Sequence, residues 1–410
     1  MGLRLVCISI LLLVASCSTN SNTVNSLVAS ASIDPTTTSA PKTEDASQHS
    51  PTSVETSTTT IAERVIPEAF APVSLLMEAL IEEKGLTGAG LIVVDEDQGV
   101  LYHEHWGDFH EERISLIASA SKVITAGVLM HLDDAGILDI DAPISDVIDY
   151  AGVLGNITAA QLLSNSSGLV GLEINYLYLC NFSSSGTIQQ CAKSILANAA
   201  IDPRTIGPDT EFRYGGPQWQ VAGAIAEAAS GKSWHELVND IYAEPCGMEH
   251  FGYSNPFDQF TFSDFGYPDW DGDLSVLKYT DNPNLGAGAY STTGDYGKLL
   301  QMHLNLGICN ATQVLSPEAV VAMQENRTGR IYNSSSEYGM GWRIDTESTG
   351  ITESSRRVSS PGVFGALPWL QPEKGFGAYL VIEDKSSTRQ AFTKPLFELI
   401  ETAVLSQREE

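Results

Sequence analysis

The stretch Ile117-Ala118-Ser119-Ala120-Ser121-Lys122-Val123-Ile124-Thr125-Ala126-Gly127-Val128-Leu129-Met130-His131-Leu132-Asp133-Asp134 decides how this chain is read. From Ser121 to Asp134 it has few polar positions and is apolar nearly all round. A helix of that kind sits in the centre of a domain rather than on its surface. Ser119 and Lys122 stand three apart where the helix begins, so they share a face and the ammonium can reach the hydroxyl. A helix N-terminus favours developing negative charge and depresses a nearby ammonium pKa. Burial pushes the lysine the same way, toward a neutral amine able to accept a proton. Taken alone, the same four residues also describe a capping serine followed by a surface lysine. The flanks have to decide.

Downstream come Leu132-Asp133-Asp134-Ala135-Gly136-Ile137-Leu138-Asp139-Ile140-Asp141-Ala142-Pro143 and Ile157-Thr158-Ala159-Ala160-Gln161-Leu162-Leu163. Ser166-Ser167-Gly168-Leu169, Glu244-Pro245-Cys246-Gly247-Met248, Asn284 to Thr292 with Asp295, and Tyr338-Gly339-Met340-Gly341-Trp342 follow. With the Ser119 segment, these closely resemble, in order, the landmarks of the class C β-lactamase family. That family includes family VIII carboxylesterases, D-amino acid peptidases and penicillin-binding relatives. The resemblance covers roughly residues 70 to 405 and is far more specific than one short motif. It implies an α+β, β-lactamase/transpeptidase-like fold: an antiparallel sheet flanked by helices, with an inserted mainly helical subdomain. It also implies Ser119 as the nucleophile of an acyl-enzyme, with no metal or organic cofactor.

Two further motifs enter through that resemblance. The family's Tyr-x-Asn is represented by Tyr214-Gly215-Gly216. Tyr214 would shuttle a proton between Ser119 and the leaving group, with Lys122 acidifying its phenol. Gly216 is a departure, removing an amide that in the family helps hold substrate and lysine. The family's Lys- or His-Thr-Gly aligns with Ser360-Pro361-Gly362, followed by Val363. Gly362 would allow close substrate approach, and the N–H groups of Val363 and Ser119 would form an oxyanion hole. Pro361 implies an edge strand bordering an open cleft. The basic residue and the hydroxyl that recognise a β-lactam carboxylate are gone from this motif. Arg356 or Arg357 can compensate, but as neighbours on a strand only one can face the cleft. The departure favours a neutral ester or amide over a penicillin.

Elsewhere the chain reads as helix over Ala71 to Lys84, then strands over Gly88 to Asp95 and Gly99 to Trp106. Helical and loop sequence occupies roughly 138 to 325, including helices over Pro217 to Ser230 and Trp234 to Tyr242. Strand-like sequence returns at Gly339 to Ile344, Arg356 to Val363 and Gly377 to Glu383, before a helix over Pro395 to Gln407. Strands at both ends with helices between them point to α+β architecture on their own account.

The N-terminus carries its own signals. Leu5 to Ala15 is too short to span a bilayer of roughly 30 Å and has the size of a signal-peptide core. It ends in Val14-Ala15-Ser16-Cys17, which looks like a bacterial lipobox. Residues 1–16 are therefore expected to be a signal peptide and Cys17 a lipidated first residue, with Ser18 permitting outer-membrane sorting. Ordinary cleavage and secretion is the alternative. Residues 17–65 are Ser/Thr-rich, cannot bury enough surface to offset their ordering entropy, and read as a flexible tether. A hydrolase domain is expected over 66–410.

The 22 basic and 51 acidic residues give a formal charge of −29, which disfavours nucleic acid and anionic membrane surfaces as partners. The membrane contact expected is the lipid anchor alone, and the partner expected is a small-molecule substrate. Cys180 and Cys191 can close a short loop in an oxidising compartment. Cys246 and Cys309 read as buried small hydrophobes, with a second bridge as the alternative. Structural zinc has no Cys-x-x-Cys support. His103 and His105 share a strand face, and Asp269-Trp270-Asp271-Gly272-Asp273 faintly resembles a calcium loop. Both read as ordinary surface features. Asn-x-Ser/Thr sequons stand at Asn156, Asn165, Asn181, Asn310, Asn326 and Asn333. The absence of phosphate loops, dinucleotide fingerprints and Gly-x-Ser-x-Gly counts against kinases, Rossmann enzymes and α/β-hydrolases. Within enzymes the order of expectation is esterase, D-peptide hydrolase, then β-lactamase. A lipid-tethered binding protein that has lost turnover is the rival of another class.

Overall fold

One strand shows how the layers are built. In the computed structural model, which describes residues 67–172, 175–262, 266–329, 337–345 and 356–409, the strand Gly88–Asp95 is buried along its whole length. Its Leu91 and Val93 pack with Val73, Met77, Leu396 and Ile400 on one side. Its Ile92 and Val94 join the larger core on the other. Alternate side chains leave a strand on opposite faces, so a strand between two helical layers is apolar at every position.

In chain order the elements are α1 (Ala71–Lys84), β1 (Gly88–Asp95), β2 (Gly99–Gly107), β3 (Ser115–Leu116), α2 (Ser121–Asp134), α3 (Ala159–Leu163), α4 (Ile188–Ala199) and α5 (Gln218–Ser230). Then come α6 (Trp234–Val238), α7 (Glu244–Cys246), β4 (Phe251–Tyr253), β5 (Ala289–Ser291), α8 (Thr293–Leu304), β6 (Ile308–Cys309), β7 (Thr312–Gln313) and α9 (Pro317–Gln324). The chain closes with β8 (Glu337–Tyr338), β9 (Arg343–Asp345), β10 (Arg357–Ser359), β11 (Leu367–Gln371), β12 (Phe376–Val381), α10 (Ser386–Gln390) and α11 (Thr393–Glu409).

The main sheet runs β2-β1-β12-β11-β10-β9-β8, antiparallel throughout. β1 and β12 pair from Gly90 opposite Val381 to Asp95 opposite Phe376, so strands from the two ends of the domain meet in mid-sheet. α1 and α11 cover one face. α8 covers the other, where Tyr296 stacks on Tyr379 of β12 at 4.4 Å between ring centroids. Behind it α2 is buried at almost every position from Ser121 to Leu132, as its all-round apolar sequence requires.

Several expectations are corrected. The region 138 to 325 is neither wholly helical nor wholly apart from the sheet. It contains β4 and β5, which join β3 in a three-stranded sheet, and α8, which belongs to the sheet layer. Strands of two or three residues carry no readable period. The helix expected to continue to Tyr242 leaves α geometry after Val238, passing through a wider turn over Asn239–Ala243. Pro361 does not mark an edge strand: β10 lies between β9 and β11 and ends at Ser359. The proline falls beyond the ladder, where no N–H is required of it.

Cys180 and Cys191 are disulfide-bonded, with Cα atoms 5.5 Å apart. Cys246 and Cys309 are buried, as expected of small hydrophobes, but they are bonded too, with Cα atoms 5.1 Å apart. The second bridge joins α7 to β6 across 63 positions, a proximity that only the fold creates. The signal peptide, Cys17, the tether and Asn333 lie outside the described residues. Among the described residues no helix is long and apolar enough to cross a membrane.

Candidate active site

Ser119 occupies a single tight turn, Ala118–Ala120, immediately ahead of α2. Ala118 takes a left-handed φ of 47°, uncommon for a residue with a Cβ. Ser121 secures the turn: its Oγ donates to Ala118 O at 2.5 Å and accepts from the Ala289 N–H at 3.0 Å. The second serine of the motif is thus a brace between the Ser119 turn and β5.

Lys122 is buried beneath Ser119, its Nζ donating to Ser119 Oγ at 3.0 Å and to Gly286 O at 2.7 Å. Burial lowers its pKa, against a smaller opposing influence from Tyr214. The Nζ lies 4.9 Å from the ring centroid of Tyr214 and 5.6 Å from that of Trp219. Ser119 itself is only 8% exposed. The structure therefore brings Ser119, Lys122 and Tyr214 together.

The Tyr214 loop is held by a residue that sequence reading recorded only as a sequon. Asn165 Oδ1 accepts from the Gly215 N–H at 3.0 Å, Gln218 Nε2 at 2.9 Å and Trp219 Nε1 at 3.1 Å. Its backbone carbonyl accepts from the Arg213 N–H at 2.8 Å. Its place directly ahead of Ser166-Ser167-Gly168 was the available signal. Tyr214 packs edge-on against Tyr338 at 6.0 Å.

Gly216 is more than a missing amide. Its φ is 76°, and a Cβ there would lie 2.4 Å from Gly171 O. The backbone that carries Tyr214 excludes a side chain at that position, and Lys122 finds its second partner in the Gly286 carbonyl.

On the strand side, Ser360 turns inward. Its Oγ lies 3.1 Å from both Ser119 O and Gly341 O, which share its single hydroxyl proton. A Cβ on Gly362 would come within 2.2 Å of Ile117 O, so this loop lies directly against the backbone leading into Ser119. The Gly362 N–H closes the loop on Ala366 O at 2.8 Å, leaving Val363 52% exposed at the rim. The two arginines are engaged elsewhere. Arg357 is buried over the Phe397 ring at 3.8 Å, on the α11 face. Arg356 meets Glu373 at 3.3 Å and donates to Gln324 O at 3.0 Å.

His103 and His105 both bring Nε2 to 2.8 Å from Thr293 Oγ1 at the start of α8. Asp273 binds the backbone and hydroxyl of Ser275, each at 2.8 Å. Among the described residues no group of three or more His, Cys, Asp or Glu side chains could hold a metal.

This geometry provides a hydroxyl in contact with a desolvated amine, a phenol packed over that amine, and a backbone loop abutting the hydroxyl. A β-lactamase family model matches residues 73–400. Penicillin-binding protein 4 of Amycolatopsis lactamdurans is 27% identical over 325 residues, covering 71% of this chain and 82% of that protein. The D-alanyl-D-alanine-carboxypeptidase/endopeptidase AmpH of Escherichia coli K12 is 21% identical over 328 residues, covering 74% and 81%. Among solved structures, EstCE1, a hydrolase with promiscuous acyltransferase activity, superposes with a TM-score of 0.66 at 18% identity, covering 82% of this chain and 98% of its own.

Proposed function

The chain belongs to the β-lactamase family and is a serine hydrolase working through an acyl-enzyme, and from that premise we propose that Ser119 acylates itself with a small, neutral ester or amide. The observation that carries the reading is the 3.0 Å contact between Ser119 Oγ and a buried, pKa-lowered Lys122. As Ser119 Oγ bonds to the substrate carbonyl carbon, its proton passes to the neutral Lys122 amine, which becomes the ammonium. The tetrahedral oxyanion is held by the N–H groups of Ser119 and Val363. As the carbonyl re-forms, the Tyr214 hydroxyl gives its proton to the departing alkoxide or amine and takes one from the Lys122 ammonium, so that both residues end as they began. Water then attacks the acyl-enzyme, gives its proton along the same path, and releases the acid and free Ser119.

The preference for a neutral substrate is supported by the Ser360 side. No cation stands in the Ser360-Pro361-Gly362 stretch, and the Ser360 hydroxyl is held by two backbone carbonyls. The similarity to the D-alanyl-D-alanine-carboxypeptidase/endopeptidase AmpH favours a second reading, a D-peptide hydrolase, whose substrate would present a carboxylate to that same side. Two disulfides support export to an oxidising compartment, with anchoring through Cys17 as the proposed form of attachment.

The test follows hydrolysis of a short-chain p-nitrophenyl ester and a chromogenic cephalosporin, with Ser119→Ala beside the parent protein. The substitution is expected to lower ester turnover at least about 10³-fold. Cephalosporin cleavage is expected to be far slower than ester cleavage. Equal rates for the two proteins would remove Ser119 from the reaction.

A further inference from the structure

We propose that Asn284 is a positioning residue for the reaction, fixing the Gly286 carbonyl that Lys122 leans on; the inference rests on the role of Lys122 proposed above. With Gly216 in place of an amide, Lys122 has Ser119 Oγ, Gly286 O and the Tyr214 side chain as its partners, and Gly286 O at 2.7 Å is nearer than Ser119 Oγ at 3.0 Å. Of these partners Gly286 O is the one that is fixed backbone, so the direction of the ammonium depends on where that carbonyl points.

Asn284 controls this point from four sides. Its Oδ1 accepts from the Gly286 N–H at 3.1 Å, and its backbone O accepts from the Gly288 N–H at 2.7 Å. Its own N–H is held by Ser254 O at 3.0 Å, and its Nδ2 donates to Asn181 O at 2.7 Å. The side chain is buried, so each of these bonds lacks competition from water. The residue between, Leu285, is gripped from α2: Thr125 Oγ1 donates to Leu285 O at 2.7 Å. Lys122 and Thr125, one turn apart on α2, thus bind consecutive carbonyls of a turn that wraps around Asn284.

The far anchor is the loop closed by Cys180–Cys191. Asn284 reaches it through Asn181 O, and Asn282 Nδ2 reaches it through Cys180 O at 2.9 Å and Ser183 O at 2.8 Å. The two asparagines share the anchor, but only Asn284 also touches Gly286. The Asn282 side chain meets the turn only indirectly, through Gln220, whose Nε2 donates to Asn282 Oδ1 at 2.7 Å and whose Oε1 accepts from the Leu285 N–H at 3.3 Å, one residue short of Gly286.

The experiment compares Asn284→Ala and Asn282→Ala in the full chain, with Ser119→Ala as the blank and thermal melting as the measure of support. Asn284→Ala is expected to lower kcat for the p-nitrophenyl ester about 10- to 100-fold with KM within about twofold, because a hydrogen bond to a charged or reacting group is disturbed. It is also expected to move the acid limb of the kcat/KM profile to lower pH, since an ammonium that loses its carbonyl partner gives up its proton more easily. Tyr214 is the one ionisable neighbour with a resolved influence on Lys122, and it is unchanged in both variants. Asn282→Ala is expected to lower the melting temperature while leaving kcat and the limb in place. Asn284→Asp keeps an acceptor for the Gly286 N–H and serves if the alanine variant does not fold. Its added negative charge should raise the Lys122 pKa and shift the limb to higher pH, with activity recovered there. The proposal is overturned if Asn284→Ala folds and keeps the parent kcat and limb, if both alanine variants lose kcat only in step with stability, or if Asn284→Asp leaves the limb unmoved. If Ser119→Ala matches the parent rate, it is the functional reading that fails.

Discussion

The two walls of the site differ in kind. On the α2 wall, Ser119 and Lys122 stand in direct contact, three residues apart on one buried helix, as proton transfer demands. On the opposite wall, Ser360, Gly362 and Val363 come from a loop beyond β10, and the side chain available for recognition is turned onto backbone. Bond-making chemistry tolerates little change, because a proton moves only between atoms in hydrogen-bond reach. Recognition can be rewritten residue by residue on the same frame. On the reading proposed above, the chemistry is kept and the recognition altered.

The hardest blow to that comparison would come at Lys122. Lys122→Met is expected to lower ester turnover about 10³-fold. The parent protein should also lose kcat/KM as pH falls through the lysine pKa, which burial has brought below the ordinary 10.5. The methionine variant should lack that limb. If it kept the limb and most of its rate, the α2 wall would have no claim to the chemistry.

A smaller effect is expected at Gly216. Restoring the family amide by Gly216→Asn should destabilise the fold by about 2–4 kcal/mol, from an unfavourable φ and a clash with Gly171 O. Chemical denaturation would measure this. A variant as stable as the parent would show that the loop can accept the family residue after all. The smallest effect sharpens the comparison instead. Ser360→Ala should reduce ester and cephalosporin kcat/KM alike, by about three- to tenfold, because it loosens the support of the Ser119 carbonyl. A selective loss on the cephalosporin would mean that Ser360 does recognise a carboxylate.

Much of the α2 wall was legible. Its helix announced itself by continuous apolarity, and Ser119 and Lys122 by spacing read together with the family landmarks that flank them. The central strands read correctly because β1 and β12 are long enough to show composition. What escaped depends on contacts between distant segments. Asn165 and Asn284 are ordinary polar residues in sequence, and their work becomes visible only where Gly215 and Gly286 offer their N–H groups. The Cys246–Cys309 pairing was undecidable across 63 positions. Pro361 misled because the end of a two-sided strand and the side of an edge strand look alike when only the missing N–H is considered.

The pair of disulfides makes the native state a property of location. By chain entropy alone, closing spans of 11 and 63 positions disfavours the unfolded ensemble by about 3 and about 4 kcal/mol respectively. A newly made chain held among reduced thiols lacks both contributions, and a single domain has little margin to lose. Export in an unfolded state, followed by oxidation, would make the destination itself the trigger for activity, so that the hydrolase matures only beyond the compartment that synthesised it.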